Sequence, residues 1–354
     1  MKGTKRLFAT ILATVMMFCM SVTAFAEPDP TPPPTYKDMS EVTITVKYDA
    51  LNADLSPEET FTVKQVGDGT VDGHKVNEDG YKINEFGEPI DNDKGWNIPD
   101  ITQDKIEGAF FAAGDAGKDY EDEKPITIKL PEYNRVGVYE YTLIEVDNNT
   151  AGVTYYDKDI TLVVTVIQQG DVKIRIATVK SDGKKNAGIE NTYSAGALQV
   201  TKTVEGNLGD RDKYFEFRVA LTGEQDETYA DSYKVIGGSY TENPTTIKFG
   251  TLTTFYLKHD ETLSILNLPY DVSYTVVETD YSKDGYTTSV SGVEEELVGE
   301  GTIEVETQTV EFVNTKEGEI DTGINLDSLP YILIFAGVIV AAVVMIARKR
   351  RISD

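Results

Sequence analysis

YTVVETD, residues 274–280, alternates side chains in a way that reads as a strand, because successive residues of an extended chain point to opposite faces. Tyr274, Val276 and Glu278 therefore share one face. YTLIEVD, residues 141–147, repeats the pattern and sets Tyr141, Leu143 and Glu145 together. Two strands thus carry a carboxylate in an apolar row, where an unpaired charge is costly. Around them lie further short alternating segments: VTITV (42–46), ITLVVTVI (160–167), VKIRIATV (172–179), FEFRVAL (215–221) and VEFVN (310–314). Gly, Asn and Asp divide them, and Gln169, Gly170 and Asp171 form a hairpin turn between two of them. Little outside the two hydrophobic ends has a helical period, so the fold class is all-β with sandwich domains.

The order of features recurs. Each carboxylate-bearing strand precedes a tyrosine-bearing turn and further strands, and each block closes on a short apolar strand ending in Asn-Thr, IENTY and FVNTK. The chain reads as a divergent duplication joined near SAGA (194–197), with domains at 37–195 and 196–317, each long enough for its own core. Residues 67–124 form a Gly- and Asp-rich acidic insertion in the first block, read as a long loop region with small elements. Its DNDKG (91–95) has a calcium-loop flavour but lacks the remaining ligand spacing, which favours a solvated loop and no metal.

The chain's ends fix its compartment. Residues 1–26 combine Lys2, Lys5 and Arg6, an apolar run, and Ala24 and Ala26 at the spacing of a cleavage site, which is a secretory signal rather than an N-terminal anchor. EPDPTPPPT (27–35) makes 27–36 an extended, Pro-rich leader. Leu329 to Ala347 is an uninterrupted apolar stretch long enough for a transmembrane helix, and Arg348, Lys349, Arg350 and Arg351 hold the tail inside. The body is therefore extracellular, tethered to the membrane as a precursor. The only cysteine, Cys19, lies in the signal, so no disulfide can staple the exported part. Net charge is −27, from 33 Lys and Arg against 60 Asp and Glu, and loss of the basic ends leaves the middle more acidic still. That balance excludes nucleic acid as a partner. His74 and His259, the only histidines, fall in no metal or triad arrangement, so an exported enzyme is disfavoured and no cofactor is expected.

LQVTKTV (198–204) opens the second block and puts Leu198, Val200, Lys202 and Val204 on one face; VEFVN puts Val310, Phe312 and Asn314 on one face. A lysine, a glutamate and an asparagine thus sit in apolar rows on three strands. Burial lowers a lysine's pKa and raises a glutamate's. A neutral amine is a nucleophile, a protonated carboxyl is a proton donor, and a polarised carboxamide is an electrophile. Lys202 can then attack Asn314 with Glu278 shuttling protons, releasing ammonia and leaving a Lys-Asn isopeptide bond, made once and without turnover.

LQVTKTVEGNLGDRDKYFEF, YTVVETDYSKDGYTT and FVNTK resemble the streptococcal pilin isopeptide-linkage domain of Gram-positive backbone pilins, and VGVYEYTLIEV with IENTY resembles its preceding copy. The resemblance covers most of the exported chain. It implies two tandem immunoglobulin-like sandwiches stacked end to end, with Lys202 joined to Asn314 by Glu278, and Lys47 joined to Asn191 by Glu145. In VTITVKYD, however, Val42, Ile44 and Val46 share a face, so Lys47 points to the other one unless the strand bulges there.

EIDTG (319–323) stands just before the apolar span and basic tail. That layout is similar to a sorting signal, in which a sortase cleaves between Thr322 and Gly323 and holds the threonine as an acyl-enzyme. Neither Leu nor Pro of the common Leu-Pro-x-Thr-Gly form is present, which points to a dedicated pilin-type sortase. In related pilins the accepting lysine lies shortly before the last strand of the first domain, where SDGKKN supplies Lys184 and Lys185; Lys184 matches the family's distance to Asn191. The implied product is a covalent head-to-tail polymer of identical subunits on a Gram-positive cell wall, with minor tip or base pilins as further partners. The alternative is a wall-anchored monomeric adhesin or stalk with the same domains. Nothing in the sequence identifies a host ligand.

Overall fold

The computed structural model describes residues 35–117, 123–185 and 188–318. The expected signal, most of the leader, Thr322, Gly323 and the apolar span 329–347 lie outside the described residues, among which no helix is long and apolar enough to cross a membrane.

Fifteen principal strands carry the argument. In the first domain they are β1 (Glu41–Leu51), β2 (Val63–Gln65), β3 (Glu123–Lys129), β4 (Gly137–Glu145), β5 (Ile160–Gln169), β6 (Val172–Ser181), β7 (Lys184–Lys185) and the leading half of β8 (Ile189–Glu205). The trailing half of β8 opens the second domain, followed by β9 (Phe215–Thr222), β10 (Thr253–Leu257), β11 (Glu261–Pro269), β12 (Ser273–Glu278), β13 (Thr287–Val290), β14 (Val298–Thr302) and β15 (Thr307–Thr315).

Each domain is a two-sheet sandwich. In the first, β3, β1 and β8 form one layer and β7, β6, β5, β4 and β2 the other. In the second, β11, β8, β15 and β13 face β10, β9, β12 and β14. Alternating burial makes this work: β1 buries Val42, Ile44, Val46 and Tyr48 in turn, and β4 buries Tyr139, Tyr141, Leu143 and Glu145. Two separate apolar cores result, one on each side of Ala195 to Leu198. The hairpin expected at 169–171 joins β5 to β6 with Gln169 opposite Val172, and Gly170 takes the left-handed conformation that the turn requires (φ 63°).

The topology matters more than the count. In both domains the first strand lies parallel to the last: β1 beside the leading half of β8, and the trailing half of β8 beside β15. No linker separates the domains, because β8 is one strand of 17 residues that closes the first sandwich and opens the second. SAGA, expected as a join, is the crossing point within it. There the register shifts between Gly196 and Leu198, and a side chain at Gly196 would strike the Val305 carbonyl oxygen at 2.2 Å. Small residues are required there for close approach, not for flexibility. Hydrogen bonds brace the junction: Asn52 Nδ2 donates to the Tyr270 hydroxyl (2.9 Å), Asn267 Nδ2 to the Leu55 carbonyl (2.6 Å), and the Ala151 N–H to the Thr228 carbonyl (3.0 Å).

The insertion contains a small three-stranded sheet, Lys75–Val76, Tyr81–Ile83 and Pro89–Lys94. DNDKG forms part of its last strand and the turn after it. Asp93 is engaged by Arg135 (2.7 Å) and by the Trp96 indole N–H (3.1 Å), while Arg135 and Lys82 lie over the Trp96 ring.

Candidate functional site

In the second domain, three alternations converge. On β8 the inward row is Leu198, Val200, Lys202 and Val204; on β12 it is Tyr274, Val276 and Glu278; on β15 it is Val310, Phe312 and Asn314. Lys202 and Glu278 are each 1% exposed and Asn314 0%. Among the described residues Lys202 is the one buried lysine. Its Nζ stands 3.0 Å from Glu278 Oε1, and Asn314 Nδ2 donates to that same oxygen at 3.0 Å. The amine and the amide are therefore held on one carboxylate oxygen.

Aromatic side chains seal the group. Lys202 Nζ lies 4.6 Å from the centroid of Phe215 and 6.0 Å from that of Phe217, and Phe312 meets Phe217 edge-on. Burial pushes the Lys202 ammonium down to about 8, against the opposing pull of Glu278, and burial raises the Glu278 carboxyl. Both shifts favour the neutral pair. Three atoms of the group make no well-directed hydrogen bond: Lys202 Nζ, Glu278 Oε2 and Asn314 Oδ1. Buried polar atoms left so are costly, and these belong to the three groups whose bonding changes if amine and amide condense. In such a condensation Lys202 Nζ would bond to Asn314 Cγ, the bond from Cγ to Nδ2 would break, and Nδ2 would leave as ammonia with a proton carried by Glu278.

The first domain brings together two of its three expected residues. Glu145 and Asn191 are buried, and Asn191 Nδ2 donates to Glu145 Oε1 at 2.8 Å. The Tyr156 N–H donates both to Glu145 Oε2 (2.7 Å) and to Asn191 Oδ1 (2.9 Å). The turn carrying it is fixed in part by the neighbouring Tyr155 hydroxyl, which donates to Glu59 Oε2 at 3.0 Å. Lys47 is not brought to this pair. It follows the outward parity of β1 without a bulge, with its side chain 35% exposed and its Nζ 2.7 Å from Asp49 Oδ2. The inward position next to it is Tyr48, packed edge-on against Phe61 and Phe111.

Burial raises the Glu145 carboxyl to about 7, although Asn191 and Tyr156 pull it down. The unfolded chain releases this proton near the ordinary 4.5. Between those values the folded state binds the extra proton, so its stabilisation is complete at acid pH and is lost as pH rises through about 7. The melting temperature of the first domain, followed by fluorescence of the single tryptophan Trp96, is expected to fall between pH 5 and pH 8, and Glu145→Gln to flatten that trend. A trend unchanged in the variant would remove Glu145 as its source.

Lys184 and Lys185 are both exposed on β7. Lys184 lines a polar cleft of about 700 Å³ with Lys47, Glu123, Tyr156, Lys158 and Glu190, whereas Lys185 does not. Sequence reasoning missed the backbone N–H of Tyr156, which no side-chain pattern marks. Phe215 and Phe217, by contrast, lie on the inward parity of FEFRVAL and were open to the same reading as Lys202.

Residues 60–194 match the family described as Spy0128-like isopeptide containing domain, and residues 196–316 match a domain of unknown function (DUF7601). The chain is 31% identical over 237 residues to a pilin of Streptococcus pyogenes serotype M1, covering 61% of this chain and 69% of the relative. It is 30% identical over 132 residues to the pilus tip adhesin Cpa of Streptococcus pyogenes, covering 37% of this chain and 18% of that protein. The crystal structure of the major pilin from Streptococcus pyogenes superposes with a TM-score of 0.50 at 22% identity, over 79% of this chain and 99% of that one, and shares its fold.

Proposed function

This chain belongs to the streptococcal pilin family, and from that premise we propose that its second domain closes a Lys202–Asn314 isopeptide bond under Glu278 and that a sortase links successive subunits through Thr322 and Lys184. It is a structural pilin subunit of a surface-displayed Gram-positive pilus. The observation that carries the proposal is the buried amine and amide held on a single carboxylate oxygen. The reaction is single-turnover and intramolecular, so the chain is a substrate of its own fold and not an enzyme in the catalytic sense.

Lys184 is preferred over Lys185 as acceptor because it faces the polar cleft, where an incoming acyl group can be positioned. Sortase cleavage between Thr322 and Gly323 then joins each subunit to the next, and a contact of this head-to-tail kind repeats into an open filament. The precursor is held by the 329–347 span until that transfer. A pilus tip adhesin of the kind that this chain partly resembles is a natural terminal partner.

The experiment is denaturing electrophoresis of wall extracts. Wild type is expected to give a ladder of heat- and detergent-resistant multimers, Lys184→Ala to collapse it to a single species, and Lys185→Ala to leave it intact. A ladder that survives Lys184→Ala and disappears with Lys185→Ala reassigns the acceptor. A single anchored species in wild type supports the monomeric adhesin instead.

A further inference from the structure

Register places the two domains on a common frame. In the second domain Asn314 lies beside Val204 across the parallel pair β8 and β15, and the reactive lysine sits two residues before that partner, at 202. In the first domain Asn191 lies beside Tyr48 across the parallel pair β1 and β8. Two residues before Tyr48 is Val46, which is fully buried and part of the apolar core. The position equivalent to Lys202 is thus Val46, and Lys47 is its outward neighbour.

We infer that the first domain holds a dormant isopeptide centre: Glu145 and Asn191 stand ready as acid and amide, Val46 fills the seat of the amine, and no internal crosslink forms there in the native chain. The inference rests on the proposed chemistry of the second domain and extends it to a site that lacks one reactant. Hydrogen bonding in the two centres differs accordingly. In the second, Glu278 Oε2 and Asn314 Oδ1 make no well-directed hydrogen bond; in the first, the corresponding Glu145 Oε2 and Asn191 Oδ1 both accept from the Tyr156 N–H. Among the described residues the first domain buries no lysine, so the Asn191 carboxamide has no inward amine to meet. The acid-amide pair is retained as a closed hydrogen-bonded unit that ties β4, β8 and the turn at Tyr156.

The centre is complete but for its nucleophile, so Val46→Lys is expected to switch it on. The new amine, kept neutral by burial, attacks Asn191 Cγ; the bond from Cγ to Nδ2 breaks, and ammonia leaves with a proton relayed by Glu145. The product is a second internal secondary amide, with no oxidant or cofactor required.

Intact mass and peptide mapping of the exported full chain, made without a sortase so that no intermolecular bond forms, test this directly. Wild type is expected to show the loss of one ammonia, abolished by Glu278→Gln and untouched by Glu145→Gln or Lys47→Ala. Val46→Lys is expected to show two losses, the second absent when Glu145→Gln is added. Two losses in wild type, one of them removed by Glu145→Gln or by Lys47→Ala, overturn the inference. A Val46→Lys chain that fails to fold, or folds without the second loss, overturns the competence of the centre. The Glu278→Gln arm separately judges the second-domain reaction, so failure of the one is distinguishable from failure of the other.

Discussion

Glu278→Gln is expected to leave the chain heavier by the ammonia that wild type releases, and to lower the stability of the second domain more than any other single change away from the reacting pair. Glutamine fills the same volume but cannot take the proton from Lys202 or deliver it to the departing Asn314 amide. The bond it prevents closes a loop of roughly 110 residues, and loop-closure entropy alone assigns such a crosslink about 4–5 kcal/mol. For a domain of this size that corresponds to a drop of roughly 10–25 °C in melting temperature. Lys202→Ala and Asn314→Ala are expected to match the lost crosslink, each with a further cavity or packing cost. Differential scanning calorimetry paired with intact mass checks the claim. A Glu278→Gln chain with the wild-type mass deficit would show that the carboxyl is dispensable, whatever the calorimetry.

The second-domain centre was legible because each reactant occupies the wrong kind of position for its chemistry. Lys202, Glu278 and Asn314 all stand on the inward parity of otherwise apolar strands, and period two is the one long-lived signal in a β-rich sequence. The first domain exposes the limit of that signal. Parity alone places Lys47 outward, and the structure agrees. What parity cannot supply is register: Asn191 is set beside Tyr48 by a parallel pairing between strands more than a hundred residues apart. Without that pairing, Val46 is one more valine in VTITV. The join expected at SAGA falls where one core ends and the other begins; the sequence could not show that its small residues serve a tight approach, since only the Val305 carbonyl pressed against Gly196 reveals it. The ordered sheet in the insertion was hidden likewise, since the Arg135 that stacks on Trp96 and binds Asp93 comes from beyond the insertion.

Under the proposed linkage, position along the load path gives a reason why the first domain can do without an internal crosslink. If tension enters a subunit at Lys184 and leaves at Thr322, the covalent route runs along the chain to Lys202, crosses to Asn314, and continues to Thr322. The first domain up to residue 183 lies outside that route, so a crosslink there would add folding stability but carry no load. By the proposed linkage the second domain lies across the route and would be bypassed only by the Lys202–Asn314 bond, because β8 and β15, the strands that would bear the pull, are the two that it would join. Pulling single fibres is therefore expected to give wild-type traces without unfolding steps. Glu278→Gln fibres should extend in repeated steps as each second domain opens. The roughly 110 residues released, at about 3.3–3.6 Å each, set a contour gain near 370–400 Å per subunit before the folded span is subtracted. Steps of that size in wild type would mean that the bond does not lie between the points of load. Their absence in Glu278→Gln fibres would mean that the hydrogen-bonded sheet resists the force unaided.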